Sequence, residues 1–200
     1  MPTHLPDALY SPADARTHDP RLTLIASHGQ SDIDWDILKR ELNDRISMVV
    51  EYGYWKSSAE VFDDQMPFEQ LKTVDKILAI CRSEPILYVT GTIRPDGAGE
   101  LVALTSRLFV RVELSPAEAD DALAPFTSRV WAQSRREISH IELAEVSEAR
   151  HDVNWPSRIR LTVTLGESQV SLPLAKSHQV TKEENLALLL PVLLEDLDRR

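Results

Sequence analysis

The chain has 200 residues and a formal net charge of −10, since 32 aspartates and glutamates face 22 lysines and arginines. An acidic surface repels phosphate backbones and anionic headgroups, which disfavours nonspecific binding to nucleic acid or to membranes. The single cysteine, Cys81, excludes an internal disulfide, and no apolar run resembles a signal peptide or a membrane span. We therefore expect a cytoplasmic protein without a transmembrane segment.

Residues 1–30 are rich in proline, histidine and aspartate, which is typical of a flexible N-terminal arm. From Ser31, apolar residues recur at helical spacing, so we predict a helical segment over residues 31–83. Ser31 is the predicted N-cap of the first helix, Pro67 begins the second and Pro85 ends it. The first apolar stripe is Ile37, Leu38, Leu42, Ile46, Val49 and Val50; the second is Phe68, Leu71, Val74, Leu78 and Cys81. We expect the first stripe to be buried against the rest of the chain or in a homodimer.

The most strand-like run is Gly99–Leu114, in which apolar residues mostly alternate with polar ones from Leu101 onward. A period of two is typical of a half-buried strand in an antiparallel sheet. Glu84–Arg94, rich in β-branched and aromatic residues, predicts a second strand. The segment Pro95-Asp96-Gly97-Ala98-Gly99 favours a turn between them. The sequence therefore predicts a β-hairpin.

Further strands and a terminal helix are predicted after the hairpin. An acidic insert over Ser115–Thr127 comes first, and the strands are Val130–Ala132, Glu137–Val146, Arg158–Leu165 and Ser168–Leu174. Thr181-Lys182-Glu183-Glu184 is a capping box that begins the helix. Pro191 should kink or split that helix. Its apolar side comprises Leu186, Leu189, Leu190, Leu193, Leu194 and Leu197.

This order of elements accompanies a family resemblance. Leu104-Thr105-Ser106-Arg107-Leu108 resembles the second-strand signature of GRAM and bacterial PH-like domains, and Ile138–Val146 resembles a later strand of the same families. Ser106 stands where the pattern usually has asparagine. The resemblance covers residues 84–200 and implies an α+β fold, a PH-like antiparallel β-barrel whose C-terminal helix caps one end. Such a fold does not by itself decide the function.

Few residues point to catalysis. The histidines and Cys81 show no spacing typical of a metal site, so we expect no metal and no cofactor. The pair His151-Asp152 has the chemistry of a general base, but no nucleophile pattern lies nearby. Phosphate-binding glycine loops and hydrolase motifs are also absent from the sequence. We therefore expect a protein that is not an enzyme.

Two groups of residues are candidate contacts for a ligand or a partner. The first group, for an anion or a partner, is Arg107, Arg129, Arg135, Arg136, Arg158 and Arg160, although a solvated strand face explains these arginines more simply. The hairpin turn offers only Arg94 beside two carboxylates, which disfavours a phosphoinositide site there. The second group, for an interface, is Trp55, Phe62 and Trp155, since aromatic residues are frequent hot spots, although they lie in cores more often.

The sequence leaves three functional hypotheses open. We favour a non-enzymatic interaction module that binds a protein or peptide partner through the PH-like domain. The second hypothesis is a module that binds anionic lipid at a membrane surface through its arginines. The third is a small acidic inhibitor of the immunity-protein kind, which would block a basic enzyme by charge complementarity.

Overall fold

The computed structural model describes residues 34–50, 55–58, 67–82, 84–116, 126–146, 159–174 and 180–198, with 180–185 described by backbone alone. They belong to one compact unit over Asp34–Arg200. The helices are α1 (Trp35–Val49), α2 (Phe68–Cys81) and α3 (Val180–Asp198). The strands are β1 (Tyr88–Ile93), β2 (Gly99–Leu104), β3 (Leu108–Pro116), β4 (Phe126–Ser134), β5 (Ile138–Val146), β6 (Ile159–Leu165) and β7 (Ser168–Leu172). No described helix has the length and apolar character needed to cross a membrane.

The strands form two antiparallel sheets. Sheet 1 has the order β1-β2-β3-β4 and sheet 2 the order β5-β6-β7. A short 3₁₀ turn, Arg135–Glu137, carries the chain from β4 to β5. The predicted α+β class is confirmed. The expected barrel is not found, because the described strands end one ladder at β4 and begin another at β5 without closing into a single sheet.

The predicted hairpin is confirmed. β1 pairs with β2 from Tyr88 opposite Leu104 to Ile93 opposite Gly99, so the turn falls between Ile93 and Gly99 as expected. Gly97 has a φ of 81°, a conformation that glycine adopts without steric cost. The side chain of Asp96 supports the turn by accepting a hydrogen bond of 3.0 Å from the backbone N–H of Ala98.

The run Gly99–Leu114 is two strands, not the single strand that was predicted. β2 ends at Leu104 and β3 begins at Leu108, and the two pair antiparallel. Between them, Thr105 Oγ1 accepts hydrogen bonds from the backbone N–H groups of Arg107 at 3.2 Å and Leu108 at 2.9 Å. A threonine side chain therefore closes this turn, which lacks the glycine and proline that usually mark one.

The centre of sheet 1 is buried on both faces, although the alternating pattern predicted a half-buried strand. Leu101, Val102, Ala103 and Leu104 are all buried, and they point alternately to two different cores. The helix-side core packs α1 and α2 on one face, where Leu42, Ile46 and Val74 meet strand residues such as Val110 and Val112. The intersheet core packs sheet 2 and α3 on the other face. A strand buried on both sides has no solvent face to keep polar.

Helix α1 packs on sheet 1 through most of its predicted stripe. Leu42, Ile46, Val49 and Val50 are buried against the sheet, which selects burial within the chain over a homodimer contact. Ile37 is 59% exposed, so its predicted burial is wrong. The N-cap is Asp34, whose Oδ1 accepts hydrogen bonds from two backbone N–H groups of the first turn. The predicted cap, Ser31, lies outside the described residues.

Helix α3 is one helix that contains Pro191, and it is not split. Leu186, Leu189 and Leu193 are buried in the intersheet core, as predicted, and Leu190 and Leu197 pack at its margin. Leu194 was assigned to the same side but is exposed. In α2, Phe68 was assigned to the apolar stripe but is exposed, and Lys72 Nζ lies 4.0 Å from its ring centre.

Some predictions concern residues that the structure does not describe. These are the N-terminal arm over residues 1–30, most of the insert Ser115–Thr127 and the side chains of the capping box at Thr181–Glu184.

Truncation of a leucine should have a large effect on stability on the buried face of α3 and little effect on the exposed face. Leu193 is 0% exposed, so Leu193→Ala should lower the free energy of unfolding by about 2–5 kcal/mol through lost burial and a cavity. Leu188 is 72% exposed, and Leu188→Ala should change it by no more than about 0.5 kcal/mol. Urea unfolding of both variants measures the difference. Equal effects would show that α3 does not pack through the Leu193 face.

Candidate functional site

Arg135, in the 3₁₀ turn, is a charged residue that is only 1% exposed. Its Nε and Nη2 donate to Oδ2 of Asp196 on α3, at 2.9 and 2.5 Å. Nη1 donates to the carbonyl oxygens of Thr105 at 2.7 Å and Ser106 at 3.2 Å, and Nη2 also donates to the carbonyl of Val192 at 3.1 Å. A guanidinium has five N–H donors, and these five bonds use them all. We call this set the Arg135 network.

The Arg135 network joins three elements that are far apart in the chain. It connects the turn between β2 and β3, the start of sheet 2 and the C-terminal half of α3. The backbone N–H of Arg135 also donates to the carbonyl of Arg107 at 2.8 Å. Arg135 was a candidate anion or partner contact, but its side-chain donors are engaged within the chain.

Glu84 forms a second network beside the first. Its Oε2 accepts hydrogen bonds from Thr105 Oγ1 at 2.7 Å and Ser106 Oγ at 3.3 Å, and its Oε1 accepts one from Arg107 Nε at 2.6 Å. Burial by itself raises the pKa of Glu84. The hydrogen bonds from Arg107, Thr105 and Ser106 and the charge of Arg107 lower the pKa by more than burial raises it. The net result is a pKa below the ordinary value for glutamate.

The two networks border a cleft of about 820 Å³, which we call the arginine cleft. Its charged lining is Arg82, Arg107, Arg135, Arg136, Glu84 and Asp196, and its remaining lining is Ala79, Ile80, Leu108, Ala132, Ser106 and Ser134. Four arginines and two carboxylates leave an excess of positive charge in a chain whose net charge is −10. The cleft is therefore a local reversal of the protein's overall charge.

The structure brings together three of the six predicted arginines. Arg107, Arg135 and Arg136 line the cleft. Arg129 lies on β4, 5.9 Å from the ring centre of Trp131, and Arg160 on β6 pairs with a glutamate of β5 at 3.8 Å. Arg158 lies outside the described residues. The six predicted arginines therefore do not form one surface.

Sequence reasoning missed Arg82 and Glu84. Arg82 follows the last residue of α2 and has a φ of 56°, which ends the helix in a left-handed conformation usually taken by glycine. Glu84 was counted only as the start of a strand. No local pattern relates either residue to Arg107, because the packing of α2 on sheet 1 brings these segments together.

Trp55 belongs to the core and is not available as an interface residue. It is buried, its ring stacks on Phe126 with 5.7 Å between ring centres, and its Nε1 donates to Oδ1 of buried Asn43 at 2.8 Å. The other two candidate interface residues, Phe62 and Trp155, lie outside the described residues. Trp131, which was not a candidate, is half-buried on β4 and has Arg111 5.5 Å from its ring centre.

Strand β5 forms an exposed edge of sheet 2, which we call the β5 edge. It is nine residues long, and among the described strands it pairs only with β6. Leu143 and Val146 are 49% and 41% exposed, yet their ladder partners Leu161 and Ile159 are buried. Ile138, at the start of the strand, is buried. The strand thus diverges from the core along its length, and apolar side chains in its second half are exposed.

The other three sheet edges are less accessible. β1 is almost wholly buried, and Thr90 on it accepts a hydrogen bond of 3.2 Å from the backbone N–H of Leu174. Helix α2 packs on β4, where Lys76 donates to the carbonyl of Ser128 at 2.7 Å. β7 has five residues and is followed by Pro173. β4 is as long as β5 but fewer of its residues are exposed, so β5 is the most exposed long edge among the described strands.

The described residues contain little that suggests metal or thiol chemistry. No group of three or more histidine, cysteine, aspartate or glutamate side chains in the described part of the chain could hold a metal ion. Burial raises the pKa of Cys81 to about 12, so its thiol is protonated near neutral pH. The pair His151-Asp152 and the histidines His4, His18, His28 and His178 lie outside the described residues, whereas His140 is exposed on β5.

Comparison with known proteins does not assign this chain to a family. Models of protein families, curated proteins and solved structures give no match. The resemblance to GRAM and PH-like domains therefore stays a prediction, and the function is inferred from the geometry of the described residues.

The Arg135 network predicts a large loss of stability when its carboxylate is removed. Asp196→Ala leaves a buried guanidinium without its counter-charge, which should lower the free energy of unfolding by about 3–5 kcal/mol. Asp75→Ala is the control, because it breaks an exposed pair with Lys39 that contributes little to stability. Chemical denaturation compares the two, and similar losses would contradict a structural role for the buried pair.

The lowered pKa of Glu84 predicts a specific pH dependence. A carboxylate with a depressed folded-state pKa stabilises the fold above its unfolded pKa of about 4.3, and that stability is lost as the pH falls through the folded value. Glu84→Gln cannot ionise, so wild type should exceed the variant in stability at pH 7 and lose that advantage in acid. Urea midpoints measured across this pH range test the sign. A difference that grows on acidification would contradict it.

Proposed function

We propose that this chain is a non-enzymatic interaction module that binds an extended segment of a partner protein along the β5 edge. The observation that carries the proposal is this nine-residue edge strand, which has one pairing partner among the described strands and exposes Leu143 and Val146. An added strand would pair with the backbone N–H and C=O groups of β5 that β6 does not engage, and its side chains would supply the specificity.

The composition of β5 supports an edge that is open to pairing. Proteins commonly protect such edges with lysine, proline or a covering element, because an unprotected edge pairs with other chains. The sequence of β5, I-S-H-I-E-L-A-E-V, contains neither lysine nor proline, and its two register irregularities leave Ile141, Glu142 and Leu143 in regular pairing with β6. The other described edges are buried, covered by α2 or short. The β5 edge therefore combines length with exposure.

Side chains beside the edge indicate the chemistry of the partner. Helix α3 contacts β5, and its exposed side carries the apolar residues Leu188 and Val192. Glu142 and Glu145 on β5 are exposed, and the whole chain is acidic. A segment that alternates apolar and basic residues would complement both features.

The proposal includes a PH-like architecture. Three features support it: a four-stranded antiparallel sheet, a three-stranded antiparallel sheet, and a C-terminal helix that packs on the intersheet core. The predicted signature around Thr105 also supports it. It also includes a cytoplasmic location, since the single cysteine is buried as a free thiol.

A peptide-binding experiment tests the role of the β5 edge. Peptides are selected from a random library with the full chain, and their affinities are then measured for wild type, Leu143→Asp and Ile37→Asp. Leu143→Asp should abolish binding, because it places a carboxylate among the apolar contacts of the edge. Ile37→Asp changes an equally exposed apolar residue on α1 and should leave binding unchanged.

Hydrogen exchange provides the second readout. A bound peptide should slow exchange in β5 and leave the edges at β1, β4 and β7 unaffected. Failure to select any peptide, or selected peptides that bind Leu143→Asp as well as wild type, would overturn the proposal. Selective binding of folded basic enzymes in place of extended peptides would favour an acidic inhibitor.

A further inference from the structure

We infer that the arginine cleft is a binding site for a phosphomonoester that carries an apolar group. This inference goes beyond the proposed function, because no residue of β5 lines the cleft. The lining comes instead from the end of α2, Glu84 before β1, the turn between β2 and β3, the end of β4 with the 3₁₀ turn, and Asp196 on α3. The cleft and the β5 edge are therefore two different surfaces.

The charges of the cleft are arranged to favour an anion. Both carboxylates that line it are engaged, since Asp196 accepts from Arg135 and Glu84 accepts from Thr105, Ser106 and Arg107. Arg82 is exposed, and no described carboxylate pairs with it. Arg82 therefore adds a positive charge that neither carboxylate of the cleft balances.

Arg107 has a donor to spare. Its Nε and Nη2 contact Oε1 of Glu84, whereas no described acceptor contacts Nη1, and three-quarters of the side chain is exposed. Guanidinium groups bind phosphate oxygens through paired, charge-assisted hydrogen bonds. Arg82 and Arg107 come from separate elements, so a ligand with several anionic oxygens can use both. A phosphomonoester dianion meets this requirement better than a carboxylate with its two oxygens and single charge.

The size and lining of the cleft indicate the rest of the ligand. A volume of about 820 Å³ lies within the usual range of small-molecule sites. Ile80, Leu108 and Ala132 provide apolar surface beside the arginines. Inorganic phosphate would leave most of this space unfilled. An aromatic ring or an acyl chain attached to the phosphate would occupy it and bury apolar area.

Glu84 already shows how the cleft holds an anionic oxygen. Two hydroxyl groups and a guanidinium converge on its carboxylate. Its negative charge also offsets that of Arg107, so Glu84 limits the affinity of the cleft for a second anion. Removing that charge should therefore strengthen binding of the ligand. This sign is opposite to the one expected when an arginine is removed.

The test uses 1-naphthyl phosphate, which is titrated into the full chain in a calorimeter. It should bind with an affinity that falls as salt is added, whereas 1-naphthol should not bind and inorganic phosphate should bind more weakly. Vesicles of phosphatidylcholine with phosphatidic acid, compared with phosphatidylcholine alone, show whether a lipid headgroup can also enter. Vesicle binding would identify a lipid source of the phosphate, and binding of the soluble ester alone would identify a free metabolite; either result supports the site.

Matched variants locate the binding. Arg82→Ala and Arg107→Ala should each lower the affinity for 1-naphthyl phosphate by about tenfold, because each removes one charge-assisted hydrogen bond. Glu84→Gln should raise this affinity several-fold. Arg94→Ala is the control, because it removes an exposed arginine that is paired in the hairpin turn and does not line the cleft. Thermal melts of all four confirm folding.

Three results would overturn the inference. The first is the absence of binding by both the soluble ester and the phosphatidic acid vesicles. The second is an equal loss of affinity in Arg94→Ala and Arg107→Ala, which would show that binding depends only on the net charge of the protein. The third is binding of 1-naphthol as tight as that of its phosphate, which would make the cleft a purely apolar site.

Discussion

The buried ion pair between Arg135 and Asp196 is the interaction on which the junction of the two sheets depends. The carbonyl groups of Thr105, Ser106 and Val192 meet at this junction, and each accepts a hydrogen bond from Arg135. Apolar side chains could fill the same volume but would leave these acceptors unpaired. A guanidinium supplies directed donors to all of them, and Asp196 balances the charge that this brings into the interior. The pair thus specifies the arrangement of the junction as well as contributing to stability.

The burial of the centre of sheet 1 on both faces explains where the open surfaces of the described residues lie. Helices α1 and α2 cover one face, and sheet 2 with α3 covers the other. Sheet 2 has no second covering layer among the described residues, and its outer strand β5 lies mostly exposed. The Arg135 network fixes the start of β5, and the strand then diverges from the core. Exposure of Leu143 and Val146 is therefore a consequence of how the layers are stacked.

Local signals in the sequence predicted much of the fold but little of the site. Pro95 and Gly97 mark the hairpin turn, and the leucines of α3 repeat at helical spacing, so both elements were predictable. The turn at Thr105 was not, because a threonine side chain closes it without glycine or proline. The convergence of Arg82, Glu84 and Arg107 depends on tertiary packing, which no single-sequence pattern reports. Trp55 illustrates the same limit, since only the structure shows whether an aromatic side chain is buried.

The two proposed surfaces differ in charge and share a boundary. The β5 edge carries exposed glutamates, whereas the cleft carries an excess of arginines, so one acidic chain can accept ligands of opposite charge at separate places. Arg136 lines the cleft, and Ile138 begins β5 two residues later. Helix α3 contacts both, through Asp196 at the cleft and through its packing on β5. Arg135 donates five side-chain hydrogen bonds at this boundary, so the start of β5 keeps its position relative to the cleft. A partner bound at the β5 edge would therefore lie at a defined place beside the proposed anion site.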